Sequence, residues 1–257
     1  ELNINGPFNI QFLAKNNQIM VIELNLRASR SFPFVSKVTG NNFVELATRV
    51  MLGEDVNGDY KTIDLDYVGV KAPQFSFNRI KGADPRLRVE MSSTGEVACF
   101  GDDLYEAYLK SLMSSGFKLP KESVFLSIGG QNNKLEMLFY AEKLASLGFK
   151  IYATENTHKF LMESGIKTIR IYKISEKKHP SVLDLLRDGD VEMAINISDG
   201  IISQKGETDG YIIRRNCVDL GIPLITNLEA AETLILAFSS KKMEDLQIKA
   251  WDEYVIN

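Results

Sequence analysis

The sequence predicts an α/β protein in two parts, an α+β first part opening on a β-hairpin and a second part built as a doubly wound parallel sheet. Three observations predict it. Residues 8–24 alternate apolar and polar side chains in two runs around Asn16-Asn17-Gln18, the pattern of paired strands. Val124 to Ile128 is a short run, apolar but for Ser127, as in a strand buried on both faces. From there to residue 239, five strand candidates alternate with helix candidates, the rhythm of βαβ units.

Bulk composition narrows the classes. A chain of 257 residues holds one large or two ordinary domains. With 44% hydrophobic and 25% charged residues it is globular in type, and a net charge of −4 argues against a nucleic-acid surface. Cys99 and Cys217 sit in no metal or redox spacing and read as small apolar residues in a reducing compartment. No run approaches the ~18 apolar residues of a membrane span, and no targeting peptide is apparent. The opening at Glu1, without Met, reads as a start in mid-fold and so as a piece of a longer chain.

In the hairpin, Phe8, Ile10 and Phe12 share one face, which Met20, Ile22 and Leu24 continue. That face is expected to pack. A three-residue turn at 16–18 pairs Lys15 with Ile19, Leu13 with Val21, and Gln11 with Glu23, with Asn25 on the same face as Glu23. One carboxylate and two amide carbonyls are hard oxygen ligands, suited to Mg²⁺ or Mn²⁺. Arg27 and Arg30 follow, and the guanidinium fork suits phosphate. An ordinary half-buried hairpin with a polar rim fits the same pattern.

Ser31 and Ser36 read as turn or cap residues, or as phosphate neighbours. Asn42 caps a helix to about Met51, stopped by Gly53. Residues 54–64 read as a surface loop, Tyr67 to Ala72 as a strand ended by Pro73, and 74–88 (with Arg79, Lys81, Arg86 and Arg88) as a solvated face. Val97 to Phe100 reads as a short strand. Asp103 and Glu106 open a helix that stops at Gly116. The GFKLPK stretch at 116–121 is the expected boundary, giving units 1–118 and 119–240 and a loosely held tail 241–257 in which Trp251 is placed to dock.

In the second unit the strands are expected at 124–128, 150–153, 168–172, 192–197 and 223–226, and the helices at 134–146, 158–164, 181–187, 210–220 and 229–239. Ligands of such sheets sit beyond the carboxyl ends of the strands. Ser127, Thr154, Thr157, Lys173, Asn196 and Ser198 fall there, a cradle for an anion, although polar loops alone yield a similar set. Arg214 and Arg215 read as a solvated or structural pair, an interface pair, or ligand contacts. His158 and His179 read as surface residues, and no nucleophile motif is visible.

The run GPFNIQF…VIELNLRASRSFPFVSKVTG resembles the closing part of the second ATP-grasp domain of the carbamoyl-phosphate synthase large subunit. The runs EMSSTGEVACFG and YIIRRNCVDLGIPLITN also look like that family, and residues 121–240 resemble its methylglyoxal-synthase-like allosteric domain. The resemblance covers the whole chain. It implies an ATP-consuming ligase that phosphorylates carbamate, made from bicarbonate, in pyrimidine or arginine biosynthesis. It implies two Mg²⁺ or Mn²⁺ ions held with ATP by Gln11, Glu23 and Asn25, with Arg27 and Arg30 beside the phosphates. Leu26, where bacterial members usually carry proline, leans towards a eukaryotic type.

For the second unit the resemblance implies effector contacts through Ser127, Thr154, Thr157, Lys173, Asn196 and Ser198. Animal forms carry tryptophan where this chain has Lys173, which favours a uridine nucleotide over N-acetylglutamate as effector. Further implied partners are the rest of the synthase chain, a glutaminase subunit or domain, and other copies in an oligomer, with no nucleic acid and no membrane. The expected compartment is the cytoplasm, with the mitochondrion as alternative. The glycine-rich loop and lysines that cover ATP are not in these residues, so the chain alone is expected to form no carbamoyl phosphate. The rival readings are a stand-alone nucleotide sensor and, further off, a methylglyoxal synthase, whose glycine-rich phosphate loop is not seen in ATENTH or INISDG.

Overall fold

The computed structural model describes residues 3–58, 60, 65–86, 92–199 and 208–255. Parts of the expected surface loop 54–64, of the basic stretch 74–88 (Arg88), of the EMSSTGEVACFG run (Glu90) and of the INISDG loop (Gly200) lie outside the described residues.

The hairpin forms from β1 (Asn9–Lys15) and β2 (Gln18–Asn25). Its turn differs from the expected one. Asn16 and Asn17 both take positive φ, +52° and +58°, the requirement of a two-residue primed turn that matches strand twist. Lys15 therefore pairs with Gln18, and Leu13 with Met20. Ile22 is then an extra residue opposite no partner, a bulge that restores the pairing of Gln11 with Glu23. The bulge also reassigns faces: Val21 and Ile19 lie opposite Phe12 and Ala14, and Met20 moves to the Gln11 side. The apolar face does not pack as expected; Phe12, Ile19, Val21 and Ile22 are 57–73% exposed.

A helix not foreseen in the sequence, α1 (Ser31–Thr39), follows the arginines. Pro33 reads as a breaker but sits in the first turn, where its missing N–H has no helical partner to lose. Gly40, in the left-handed region, ends the helix. Next, α2 (Phe43–Met51) begins where Asn42 accepts a bond from the Glu45 N–H. Strands β3 (Val68–Gln74) and β4 (Gly95–Gly101) pair antiparallel. Pro73 lies inside β3 instead of ending it, which a two-stranded ribbon tolerates on its open side. Asp103 caps α3 (Leu104–Ser114).

The second unit has the predicted alternation: β5 (Ser123–Ile128), α4 (Gln131–Ser146), β6 (Lys150–Thr154), α5 (Glu155–Glu163), β7 (Ile169–Ile171), α6 (Val182–Arg187), β8 (Met193–Ile197), α7 (Asp209–Asp219), β9 (Leu224–Ile225) and α8 (Leu228–Ser240). The strands form one parallel sheet in the order β7-β6-β5-β8-β9. Alternate residues of β5 divide between two cores. Val124, Leu126 and Ile128 face α4, α5 and α8, and Leu109 of α3 joins that cluster. Phe125 faces α6 and α7, with Leu185, Leu186, Ile213 and Cys217. Helices on both faces of a parallel sheet make the fold doubly wound. Glu192 pins the near end of β5. Partial burial works against its charge, but the Glu122 and Lys121 N–H groups, at 2.7 and 2.6 Å, hold its carboxyl below the usual range.

The tail is not loose as expected. Lys241 pairs with Asp103, and Lys249 with Asp102, each at 2.6 Å. The Gln247 N–H donates to Glu106 at 3.0 Å. Tyr254, in the short α9 (Trp251–Tyr254), is buried against Tyr67 and Phe100. Trp251 docks through its indole N–H on the Lys37 carbonyl at 2.8 Å. The acidic start of α3 thus supplies the partners that Lys241 and Lys249 of the tail need.

Candidate functional site

The order of the sheet creates a crevice. From β5 the chain steps outward through β6 to β7, then crosses back to lay β8 on the other side of β5. Such a reversal leaves the carboxyl ends of the central strands open between helices. A cavity of about 780 Å³ lies there, and Ser127, Thr154, Thr157, Lys173, Asn196 and Ser198 all line it.

The structure refines what each can do. Thr154 Oγ1 lies 3.4 Å from Ser127 Oγ, so the ends of β6 and β5 present adjacent hydroxyls. Thr157 is helical, in the first turn of α5 rather than in a loop. It is 2% exposed, and its Oγ1 accepts from the Ile128 N–H at 3.0 Å. Its hydroxyl therefore ties α5 to β5. The Lys173 N–H donates to Glu176 at 2.9 Å, fixing the backbone that projects the lysine. Asn196 is 4% exposed.

Several lining residues were not foreseen. Gly129 and Gly130 join β5 to α4, and a Cβ on Gly129 would meet the Asp199 nitrogen at 2.6 Å. This close turn is the glycine pair that the sequence shows as IGGQNNK, a strand-to-helix signal overlooked beside ATENTH and INISDG. Lys134, in the first turn of α4, adds a cation. Gly82, Asp84 and Arg86 supply a wall from far ahead in the chain.

That wall corrects the solvated reading of 74–88 only in part: Arg79 and Lys81 are exposed as expected, whereas Phe75–Phe77 and residues 83–86 are partly or wholly buried. Arg215 is 8% exposed and donates from Nη1 to the carbonyls of Phe77, Ile80 and Ala83 at 3.0–3.1 Å. These carbonyls belong to no sheet ladder; the two N–H groups of Nη1 are shared among them, while Nε and Nη2 hold Asp219. Arg214, 5% exposed, grips Asp84 with two bonds of 2.7 and 2.6 Å, and Tyr211 donates to the Gly82 carbonyl at 2.9 Å. The arginine pair is thus the seat of the wall.

The hairpin brings together the other expected set. Gln11 and Glu23 are direct cross-strand partners, and Asn25 Nδ2 donates to Glu23 Oε1. With its nitrogen turned to Glu23, Asn25 keeps its Oδ1 outside that bond. One carboxylate with amide oxygens fits Mg²⁺, which takes one or two carboxylates and completes its shell with water and phosphate. Among the described residues, no cluster of three or more His, Cys, Asp or Glu could hold a metal ion. Arg27 and Arg30 are exposed in the link to α1, Arg27 donating to the Ala28 carbonyl at 3.3 Å. Glu96 pairs with Lys71 at 3.2 Å and holds β4 to β3.

Comparison with known proteins matches both parts. Residues 1–58 match the family described as carbamoyl-phosphate synthase L chain, ATP binding domain, and residues 136–226 match the MGS-like domain family. The chain belongs to the carbamoyl-phosphate synthase family. The synthase segment is 49% identical to the multifunctional protein pyrABCN of Emericella nidulans over 93% of this chain, and 46% identical to the multifunctional protein URA2 of Saccharomyces cerevisiae over 93%. It is 42% identical to the mitochondrial carbamoyl-phosphate synthase [ammonia] of Homo sapiens over 98% of this chain. It spans 11% of the two fungal proteins and 17% of the human one. The synthase match at 1–58 takes in the hairpin and α1, and the MGS-like match takes in β6 to β9.

Proposed function

We propose that this segment joins the metal-binding end of an ATP-grasp ligase domain to an effector-binding domain, within a synthase that makes carbamoyl phosphate from ATP and carbamate. The observation that carries the effector half is the cavity at the strand reversal, where hydroxyls, an amide and lysines converge. The effector we propose is a uridine nucleotide. Ser127 and Thr154 would bind its phosphate with Lys173 as counter-charge, and Asn196 would orient it. Thr157 acts by holding α5 against β5, and Ser198 borders the site.

In the ligase half, Gln11, Glu23 and Asn25 would hold Mg²⁺ or Mn²⁺, which neutralises ATP phosphates when bound. Arg27 and Arg30 follow them closely enough in the chain to meet the same phosphates. We divide the units at 118/119, with α3 docked on the second unit through Leu109. We propose further that the rest of the synthase chain and a glutaminase are its partners, that it works as an oligomer, and that it does so in the cytoplasm.

Titration calorimetry of the 257-residue chain with UMP, UTP, IMP and N-acetylglutamate tests the effector reading. Uridine nucleotides are expected to bind, and Lys173→Ala to abolish binding. Binding of N-acetylglutamate alone, or unchanged affinity in Lys173→Ala, would overturn it.

A further inference from the structure

Asn196, the penultimate residue of β8, lines the cavity, and its amide has a fixed sense. Its Oδ1 accepts from Arg214 Nη1 at 2.9 Å. A guanidinium only donates, so the oxygen is committed and the Nδ2 group remains for the cavity. Asn196 therefore meets a ligand as a hydrogen-bond donor, the form a phosphate, carboxylate or carbonyl requires.

Arg214 does not hold this orientation alone. A guanidinium 5% exposed needs a counter-charge. Asp84 supplies it through the fork at 2.7 and 2.6 Å. A Cβ on Gly210 would lie 3.1 Å from Arg214 Nη1, so the glycine leaves the guanidinium its room. Asp84 stays in place because its segment is seated on α7 by Arg215 and Tyr211. A line of direct bonds thus runs from residues 75–86 through Arg214 to a ligand-facing amide.

We propose that Arg214 is a positioning residue, and that Asp84–Arg214–Asn196 makes ligand affinity and the seating of residues 75–86 one linked equilibrium. The inference rests on the reading of the cavity as an anion site. Linkage is reciprocal: a ligand that requires Asn196 as donor tightens the seat, and loosening the seat weakens the ligand.

Asp84→Asn tests it, because it keeps the shape but sets an amide nitrogen against the guanidinium. Hydrogen exchange and calorimetry are run on the 257-residue chain, wild type and variant, with UMP as probe. In the wild type, UMP should slow exchange over 75–86. In Asp84→Asn, UMP should bind about five- to tenfold more weakly, within the usual range of coupling between sites, and that slowing should shrink. Wild-type affinity in Asp84→Asn, or exchange over 75–86 indifferent to UMP, would overturn the proposal. If UMP fails to bind the wild type, the nucleotide reading falls and the ligand-free samples decide. Asp84→Asn should then raise exchange at both 75–86 and 196–199, with β5 unchanged; a rise confined to 75–86 would overturn the link.

Discussion

The bond between Thr157 and the end of β5 gives the sharpest test of how the cavity is built. The Ile128 N–H donates to Thr157 Oγ1 at 3.0 Å, at a residue 2% exposed. Replacing Thr157 by Val keeps the volume and removes the oxygen. The Ile128 N–H would then be buried without its partner, a loss of about 1–3 kcal/mol. In a chain of this size each kcal/mol moves the melting midpoint by ~2–4 °C, so ~2 kcal/mol gives about 6 °C. Thr157→Ser keeps the oxygen and should lose much less. Scanning calorimetry of the three proteins reads the difference directly. A Thr157→Val protein that melts with the wild type, while Thr157→Ser falls, would refute the assignment of the hydroxyl to the Ile128 amide.

Other consequences follow from the same contacts. Arg215→Met should remove the bonds that Arg215 makes to the carbonyls of Phe77, Ile80 and Ala83, cost about 1–3 kcal/mol and expose 77–83 to protease; wild-type resistance would contradict the seat. Burial pushes the Cys217 thiol up to about 12, so iodoacetamide at about pH 8 should modify Cys99 and leave native Cys217 unlabelled, and equal labelling would count against its burial. The Ser181 N–H, then His179 and the Ser181 hydroxyl, pull the Asp184 carboxyl down to about 2 from 3.8. The charged form is the one the fold favours, so its support of the α6 start is complete above 3.8 and is lost as pH falls towards 2. A carboxyl carbon titration centred at 3.8 would contradict that. Mn²⁺ should broaden the side-chain amide signals of Gln11 and Asn25, and Glu23→Gln should suppress the effect; broadening spread evenly over the chain would contradict the metal assignment.

The parallel sheet was legible because its central strands are buried on both faces, and that burial writes apolar runs such as Val124–Leu126 and Met193–Ile195 into the sequence. Residues at the strand ends were legible for the same reason, since strand order and sheet handedness dictate where they gather. The hairpin register was not. Its primed turn and the bulge at Ile22 shift the pairing by one and then restore it, so Gln11 opposite Glu23 came out despite a wrong turn. Helix α1 was hidden because proline reads the same in a loop and in a first helical turn. The wall at 82–86 was hidden because its anchors are side chains some 130 residues away, such as Arg214 on Asp84. No local periodicity records a long-range ion pair.

Nitrogen-15 correlation spectra of the 257-residue chain during a UMP titration test the central claim most directly. The backbone amides of Ser127, Thr154 and Lys173 and the side-chain amide of Asn196 should shift together and saturate with one affinity. Shifts that gather elsewhere, or none at all, would contradict a nucleotide site at the strand reversal.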